Sequence, residues 1–324
     1  MSELRDRLET RQVLIYFIAI CTAALLGLAW PHTHALEQAI NPALALMLFV
    51  TFLQVPISEL GQAFTRMRFL GALLITNFVV IPIFVLGLIQ FLPDDPLVRL
   101  GVLFVLLTPC IDYVVTFSHL GKADAKLLLA STPALLVLQM LLLPGYLALF
   151  LGESAAGLVN LGPFVEAFVW LIAAPLVLAA LMQLWANLSV TGQLVSQRFG
   201  LLPVPATALV LFIVVAAMIP QLGAATSAAI RVIPVYIAFA VVAPVIGWMV
   251  ARGFGVSAPA GRAVAFSGAT RNSLVVLPLA LAVPDAVPVL PAVIVCQTIV
   301  ELISELVYIR LIPKLGKYLE ATKD

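Results

Sequence analysis

Apolar residues in this chain fall in long runs, separated by short clusters of Gly, Pro and charge. Ten such runs can be marked, at 13–30, 41–55, 69–91, 97–120, 125–151, 164–188, 205–222, 232–251, 262–281 and 287–314. Hydrocarbon about 30 Å thick is crossed by a helix of about 17–25 apolar residues. Each run therefore predicts a membrane-spanning helix, the second being the shortest.

Two of the runs are interrupted. In the fourth, Thr108-Pro109-Cys110-Ile111-Asp112 breaks the apolar pattern. Pro109 lacks a backbone donor and clashes with the carbonyl four residues back, so a helix must end or bend there. At membrane depth such a break survives only where it is buried in protein or lines a cavity. The ninth run carries the polar, Gly-containing stretch Ser267-Gly268-Ala269-Thr270-Arg271-Asn272-Ser273.

Internal similarity relates these two spans. Pro133-Ala134-Leu135-Leu136-Val137-Leu138-Gln139 resembles Pro291-Ala292-Val293-Ile294-Val295-Cys296-Gln297, and Val79-Val80-Ile81-Pro82 resembles Val241-Val242-Ala243-Pro244. The matches divide the chain into two five-helix repeats, 1–157 and 158–324, and five being odd makes the repeats inverted. The fourth span becomes the counterpart of the ninth. Interrupted spans at corresponding places in two halves point to a midplane binding site, where the two are expected to cross.

Composition agrees with an all-α integral membrane protein. Of 324 residues, 63% are hydrophobic and 10% charged, against about 45–50% apolar residues in soluble domains. The polar segment from Met1 to Gln12 runs into an apolar stretch long enough to remain as a span, so no cleavable signal is expected. With both termini in the cytoplasm, the inner segments hold 14 of the 17 Lys and Arg residues, the outer loops hold Arg99 and Arg231, and Arg271 lies within a span. That bias fixes the expected orientation in the cell (inner) membrane. The net charge of +1 says nothing about partners; the expected partners are the bilayer, a small solute and a coupling ion, with no nucleic acid.

The candidate chemistry lies at membrane depth, where a charge costs about 2.5–3.5 kcal/mol even on the most lenient scale. Asp112 and Arg271 sit at equivalent points of the two breaks and are expected to pair, since an unpaired buried charge is costly. Gln297, Glu301 and Glu305 follow one another at four-residue intervals, one stripe along the tenth helix. Glu301, left with no basic partner, is the candidate for carrying a proton through the transport cycle. Glu305, five residues from Arg310, is expected near the cytoplasmic interface. Cys21, Cys110 and Cys296 all lie in apolar runs, so no disulfide framework is expected. Cys110 alone adjoins a break, where a thiol could bind a thiophilic ion. Arg271 could instead hold a carboxylate bidentately. His32 and His34 read as a solvated loop pair and His119 as interfacial. No nucleophile and base constellation is present, and neither enzymatic activity nor a cofactor is expected.

The stretch Thr108-Pro109-Cys110-Ile111-Asp112-Tyr113-Val114-Val115-Thr116-Phe117, continuing to Gly121-Lys122-Ala123-Asp124, resembles the fourth-helix signature of arsenite-efflux permeases in the bile acid/sodium symporter superfamily. Phe266 to Ser273 resembles their ninth-helix crossing motif, with Asn272 on its asparagine, and Ile299-Val300-Glu301 resembles their tenth-helix Leu-Val-Glu. The resemblance implies ten helices in two inverted repeats. A core domain, from spans near 69–151 and 232–314, would hold the crossed fourth and ninth helices. A panel domain would come from spans near 13–55 and 164–222. It further implies proton-coupled efflux of arsenite or a similar trivalent thiophile, with Cys110 the As(III) ligand. Thr108, Asn272, Arg271 and Ser273 would complete the substrate site, and Asp112, Glu301, Glu305 and Gln297 would serve coupling. The alternative is a transporter of a small organic anion. Departures from the permease pattern are Pro109, where those proteins carry arginine, and Leu274, where they carry glutamate. Sodium-coupled relatives have Glu and Gln in the ninth-helix motif, where this chain has Ser267 and Arg271, so the proton is expected over sodium.

Overall fold

The computed structural model describes residues 2–54, 66–111, 113–151, 166, 169–281, 283 and 287–316. Among these the regular structure is helical, apart from a single isolated β-bridge. In chain order the helices are α1 (Ser2–Ala29), α2 (Ile40–Phe52), α3 (Met67–Phe91), α4 (Pro96–Leu106), α5 (Tyr113–Leu120), α6 (Ala125–Leu151), α7 (Ala174–Leu188), α8 (Val190–Phe199), α9 (Pro203–Met218), α10 (Leu222–Gly253), α11 (Ala258–Ala269), α12 (Ser273–Leu281) and α13 (Val289–Leu311). Six helical segments among the described residues are long and apolar enough to cross a membrane, or seven if α8 and α9, bent by 42° at their junction, form one span. The protein is a multi-pass membrane protein.

Three boundaries differ from the sequence reading. The polar N-terminal segment is helical from Ser2 and continuous with the first span. The stretch expected to be a connecting loop before the seventh span contains α8, started by Ser189, whose hydroxyl accepts from Gly192 N at 3.0 Å. The eighth span extends back to Leu222 and runs through Pro234 and Pro244 without ending. A proline alone therefore does not break a span here, and the break at Pro109 has a further cause described below.

Contacts divide the chain into two compact units. The first comprises Met1–Ile57, Val159–Ser227 and Leu277–Ala292. Its centre is α9, buried on most sides, against which α1 and α2 pack. Gln183 of α7 donates to Phe52 O at 3.2 Å and Leu53 O at 3.3 Å, filling carbonyls that the end of α2 leaves unpaired. On the outside, Leu14, Leu25 and Leu28 of α1 and Leu178, Leu181 and Leu188 of α7 are exposed, a surface that hydrocarbon would cover.

The second unit comprises Ser58–Leu158, Ala228–Val276 and Val293–Asp324. Its centre is α11, whose Ala, Gly and Ser residues let neighbouring backbones approach closely. A Cβ on Gly247 of α10 would lie 2.8 Å from Val264 O and 2.9 Å from Ala265 Cα, so α10 and α11 touch main chain to main chain. Arg262, expected at the cytoplasmic face, is buried in α11 and donates to Pro313 O at 3.2 Å, tying α11 to the turn after α13. Within α3, the residues Thr76–Val80 form a π turn, a local widening that often marks a functional site.

Candidate functional site at the meeting of two broken spans

The first break opens after Leu106, where α4 ends, and α5 resumes at Tyr113. The second lies between Ala269 and Ser273. At each break a threonine hydroxyl folds back onto the helix it follows. Thr108 Oγ1 donates to Phe104 O at 2.8 Å, and Thr270 Oγ1 lies 2.8 Å from Phe266 O. For Thr108 this back-bonding takes up a carbonyl of the last turn and favours helix termination, whereas Phe266 O already accepts from Thr270 N at 3.0 Å.

The two breaks pair with each other. Cys110 N donates to Thr270 O at 3.0 Å and Asn272 N donates to Thr108 O at 2.8 Å, an antiparallel bridge centred on Pro109 and Arg271. Main-chain groups that a broken helix would leave unsatisfied in hydrocarbon thus satisfy each other. Here lies the further cause of the break: among the described residues Pro234 and Pro244 have no such bridge, and their helix continues. The two interruptions meet main chain to main chain. Thr108 and Thr270, Pro109 and Arg271, and Cys110 and Asn272 are spaced by the same interval that separates Val79 from Val241.

Glu301 of α13 is fastened to this bridge. Its Oε2 accepts from Arg271 N at 2.7 Å and from Gln297 Nε2 at 2.6 Å, and its Oε1 accepts from the Tyr113 hydroxyl at 2.5 Å. The sequence reading left Glu301 without a partner because it counted only side-chain charges; a main-chain amide, a phenol and an amide side chain take that place. One turn further, Glu305 is fully buried rather than interfacial, and its Oε1 accepts from Thr270 at 2.6 Å. Its position inside the unit follows from the same stripe that buries Gln297 and Glu301.

The expected partner of Arg271, Asp112, lies outside the described residues. The Arg271 guanidinium is fully buried and donates to oxygens of the chain: Leu106 O at 3.3 Å, Asn77 Oδ1 at 2.9 Å, Ser267 O at 2.6 Å and Gly268 O at 2.7 Å. Ser273, at the start of α12, accepts from the Thr298 hydroxyl at 2.8 Å. Cys110 is buried at the bridge. Cys296 is elsewhere, its thiol 3.4 Å from Ala229 O, and Cys21 is exposed on α1. His32, His34 and His119 are exposed. Among the described residues no three His, Cys, Asp or Glu side chains converge as a metal site would require.

Residues that the sequence reading missed complete the cluster: Asn77, Tyr113, Ser267 and Thr298. Asn77 Nδ2 donates to Leu73 O and to Ser267 Oγ, each at 3.0 Å, while its Oδ1 faces Arg271. A signal for it existed in the polar pair Thr76-Asn77, placed mid-run in the third apolar segment. Several buried polar atoms of the cluster have no partner among the described residues: Asn272 Nδ2, Thr76 Oγ1, Gln297 Oε1 and Glu305 Oε2. Buried groups of this kind are costly and call for water, an ion or a solute. The unpartnered atoms here are one amide nitrogen, one hydroxyl, one amide oxygen and one carboxylate oxygen.

A model of the sodium bile acid symporter family matches residues 41–227, more than half of the chain, including the first break. The chain belongs to the sodium bile acid symporter family. Members of this family are membrane transporters and not enzymes. A comparison with curated proteins gives no match. The family assignment and the two paired breaks both direct attention to solute movement across the bilayer.

Proposed function

We propose that this member of the sodium bile acid symporter family exports arsenite, or a similar trivalent thiophilic oxyanion or hydroxide, in exchange for protons. The observation that carries the reading is the place of Cys110: the one cysteine at the paired breaks, beside a main-chain bridge where solute contacts would converge. Thiolate sulfur is the soft ligand such a solute takes. In this reading Thr108, Asn272, Ser273 and Arg271 complete the substrate site. Glu301, with Gln297, Glu305 and Asp112, carries the coupling proton.

The same proposal includes ten spans in two inverted five-helix repeats, 1–157 and 158–324, with a core domain around the breaks and a panel domain. Both termini face the cytoplasm, in the cell (inner) membrane. The interval shared by Val79 and Val241 and by the bridge residues of the two breaks supports the repeat.

A second reading, transport of a small organic anion, is favoured by the family itself. Counterflow in proteoliposomes separates the two. Labelled arsenite should accumulate against unlabelled arsenite, and a pH gradient should drive its net movement. Counterflow of a labelled bile acid with none of arsenite would overturn the first reading in favour of the second.

A further inference from the structure

The Arg271 guanidinium sits where two helices end. Nη2 lies 2.6 Å from Ser267 O and 2.7 Å from Gly268 O, carbonyls of the last turn of α11, and Nη1 lies 3.3 Å from Leu106 O, at the end of α4. Asn77 Oδ1 supplies a fourth oxygen at 2.9 Å. Phe239 of α10 closes one side, its ring centroid 5.4 Å from the guanidinium carbon. Terminal carbonyls of a helix lack intrahelical donors and carry the negative end of its dipole. An aromatic face adds attraction for a positive charge.

Neutral oxygens such as these four are the ligands that a small hard cation takes when it sheds water. Broken helices in transporters use their carbonyl ends and unwound main chain to hold a coupling cation. We propose that Arg271 is a tethered cation: its guanidinium occupies a monovalent-cation site formed by Leu106 O, Ser267 O, Gly268 O and Asn77 Oδ1. The charge that an alkali ion would bring to the meeting of the two breaks is supplied by the chain itself. Being covalently attached, it cannot leave during a transport cycle. The protein therefore needs no sodium at this place, and its driving ion acts through other groups. This inference goes beyond the choice of solute and does not rest on it.

The test is thermal unfolding of the purified full-length protein in detergent, with NaCl, KCl, LiCl or guanidinium chloride exchanged at low, constant ionic strength against N-methylglucamine chloride. The wild type should melt at the same temperature in every salt. Arg271→Ala empties the site and leaves its oxygens, so its melting temperature should start lower and rise saturably with at least one of these cations, as mass action requires. A saturable rise with sodium in the wild type, or an Arg271→Ala variant indifferent to all four cations, would overturn the inference. If Arg271→Ala yields no folded protein, Arg271→Lys and Arg271→Met decide, since the two are similar in size and differ in charge. Recovery of folded Lys variant with loss of the Met variant supports a required charge; equal recovery or equal loss of both overturns it. Melting carries no transport readout, so failure of arsenite counterflow leaves this result unaffected.

Discussion

The Tyr113 hydroxyl donates to Glu301 Oε1 across 2.5 Å, joining the helix that resumes after the first break to α13. The other oxygen of the same carboxylate holds the Arg271 amide at the second break. One carboxylate thus spans both interruptions, and any change in its protonation is felt by both. Tyr113→Phe removes one of its three donors. Leaving a buried acceptor unsatisfied costs about 1–3 kcal/mol, so the variant should melt below the wild type in detergent. A melting temperature equal to the wild type would show that the bond contributes nothing to the folded state.

Glu301→Gln keeps a carbonyl oxygen for one donor and removes the exchangeable charge. The variant should still bind solute and support equilibrium exchange, while net efflux no longer follows the pH gradient. The measurement is net efflux against exchange at several pH values. Efflux that tracks the gradient as the wild type does would move the coupling role to Asp112 or Glu305.

Cys110→Ser should abolish arsenite transport, while Cys21→Ser and Cys296→Ser retain it, because only Cys110 stands at the paired breaks. Cells in which the Cys110→Ser variant is the sole exporter should lose arsenite resistance. Full resistance in those cells would remove the thiol from the mechanism.

Asn77 offers Arg271 its only side-chain acceptor among the described residues. Hydrogen bonds to charged groups contribute about 1.5–3 kcal/mol, and Asn77→Ala should destabilise the protein by about that amount. Asn77→Asp restores the acceptor and should recover most of the loss. The two variants are compared by denaturation midpoint, and equal losses would mean that Asn77 acts by packing alone.

Gly247→Val should be among the most damaging changes in the second unit. Its first added carbon would meet Val264 O and the Ala265 main chain, which cannot rotate out of the way as a side chain can. Overpacking of this kind costs about 1–3 kcal/mol and occasionally more. Gly253→Ala, where an added Cβ meets nothing within 4 Å, should leave the melting temperature unchanged and serves as the control.

The sequence revealed the breaks more readily than their chemistry. Pro109 and the polar stretch around Arg271 stand out in apolar runs because hydrocarbon penalises them, and their pairing follows from the need to satisfy main-chain groups. The stripe of Gln297, Glu301 and Glu305 was legible from helical spacing alone. The partners were not. Arg271 is satisfied mainly by main-chain oxygens, which every residue carries, and Glu301 by one main-chain amide and two uncharged side chains, none of which a count of charges can display. Asn77 was overlooked because one asparagine amid apolar residues resembles a tolerated defect until its neighbour is known. Glu305 was misplaced because distance along the chain to Arg310 stood in for depth.

The bridge between the breaks is made by the amides of Cys110 and Asn272 and the carbonyls of Thr270 and Thr108. Ordinary substitutions at these four positions leave both fastenings in place, since the atoms involved belong to the chain and not to the side groups. Proline alone, at position 110 or 272, would delete a donor. Selection can therefore rewrite the side-chain chemistry at these breaks one residue at a time, from thiol to hydroxyl to amide, without unlatching the frame that holds them together.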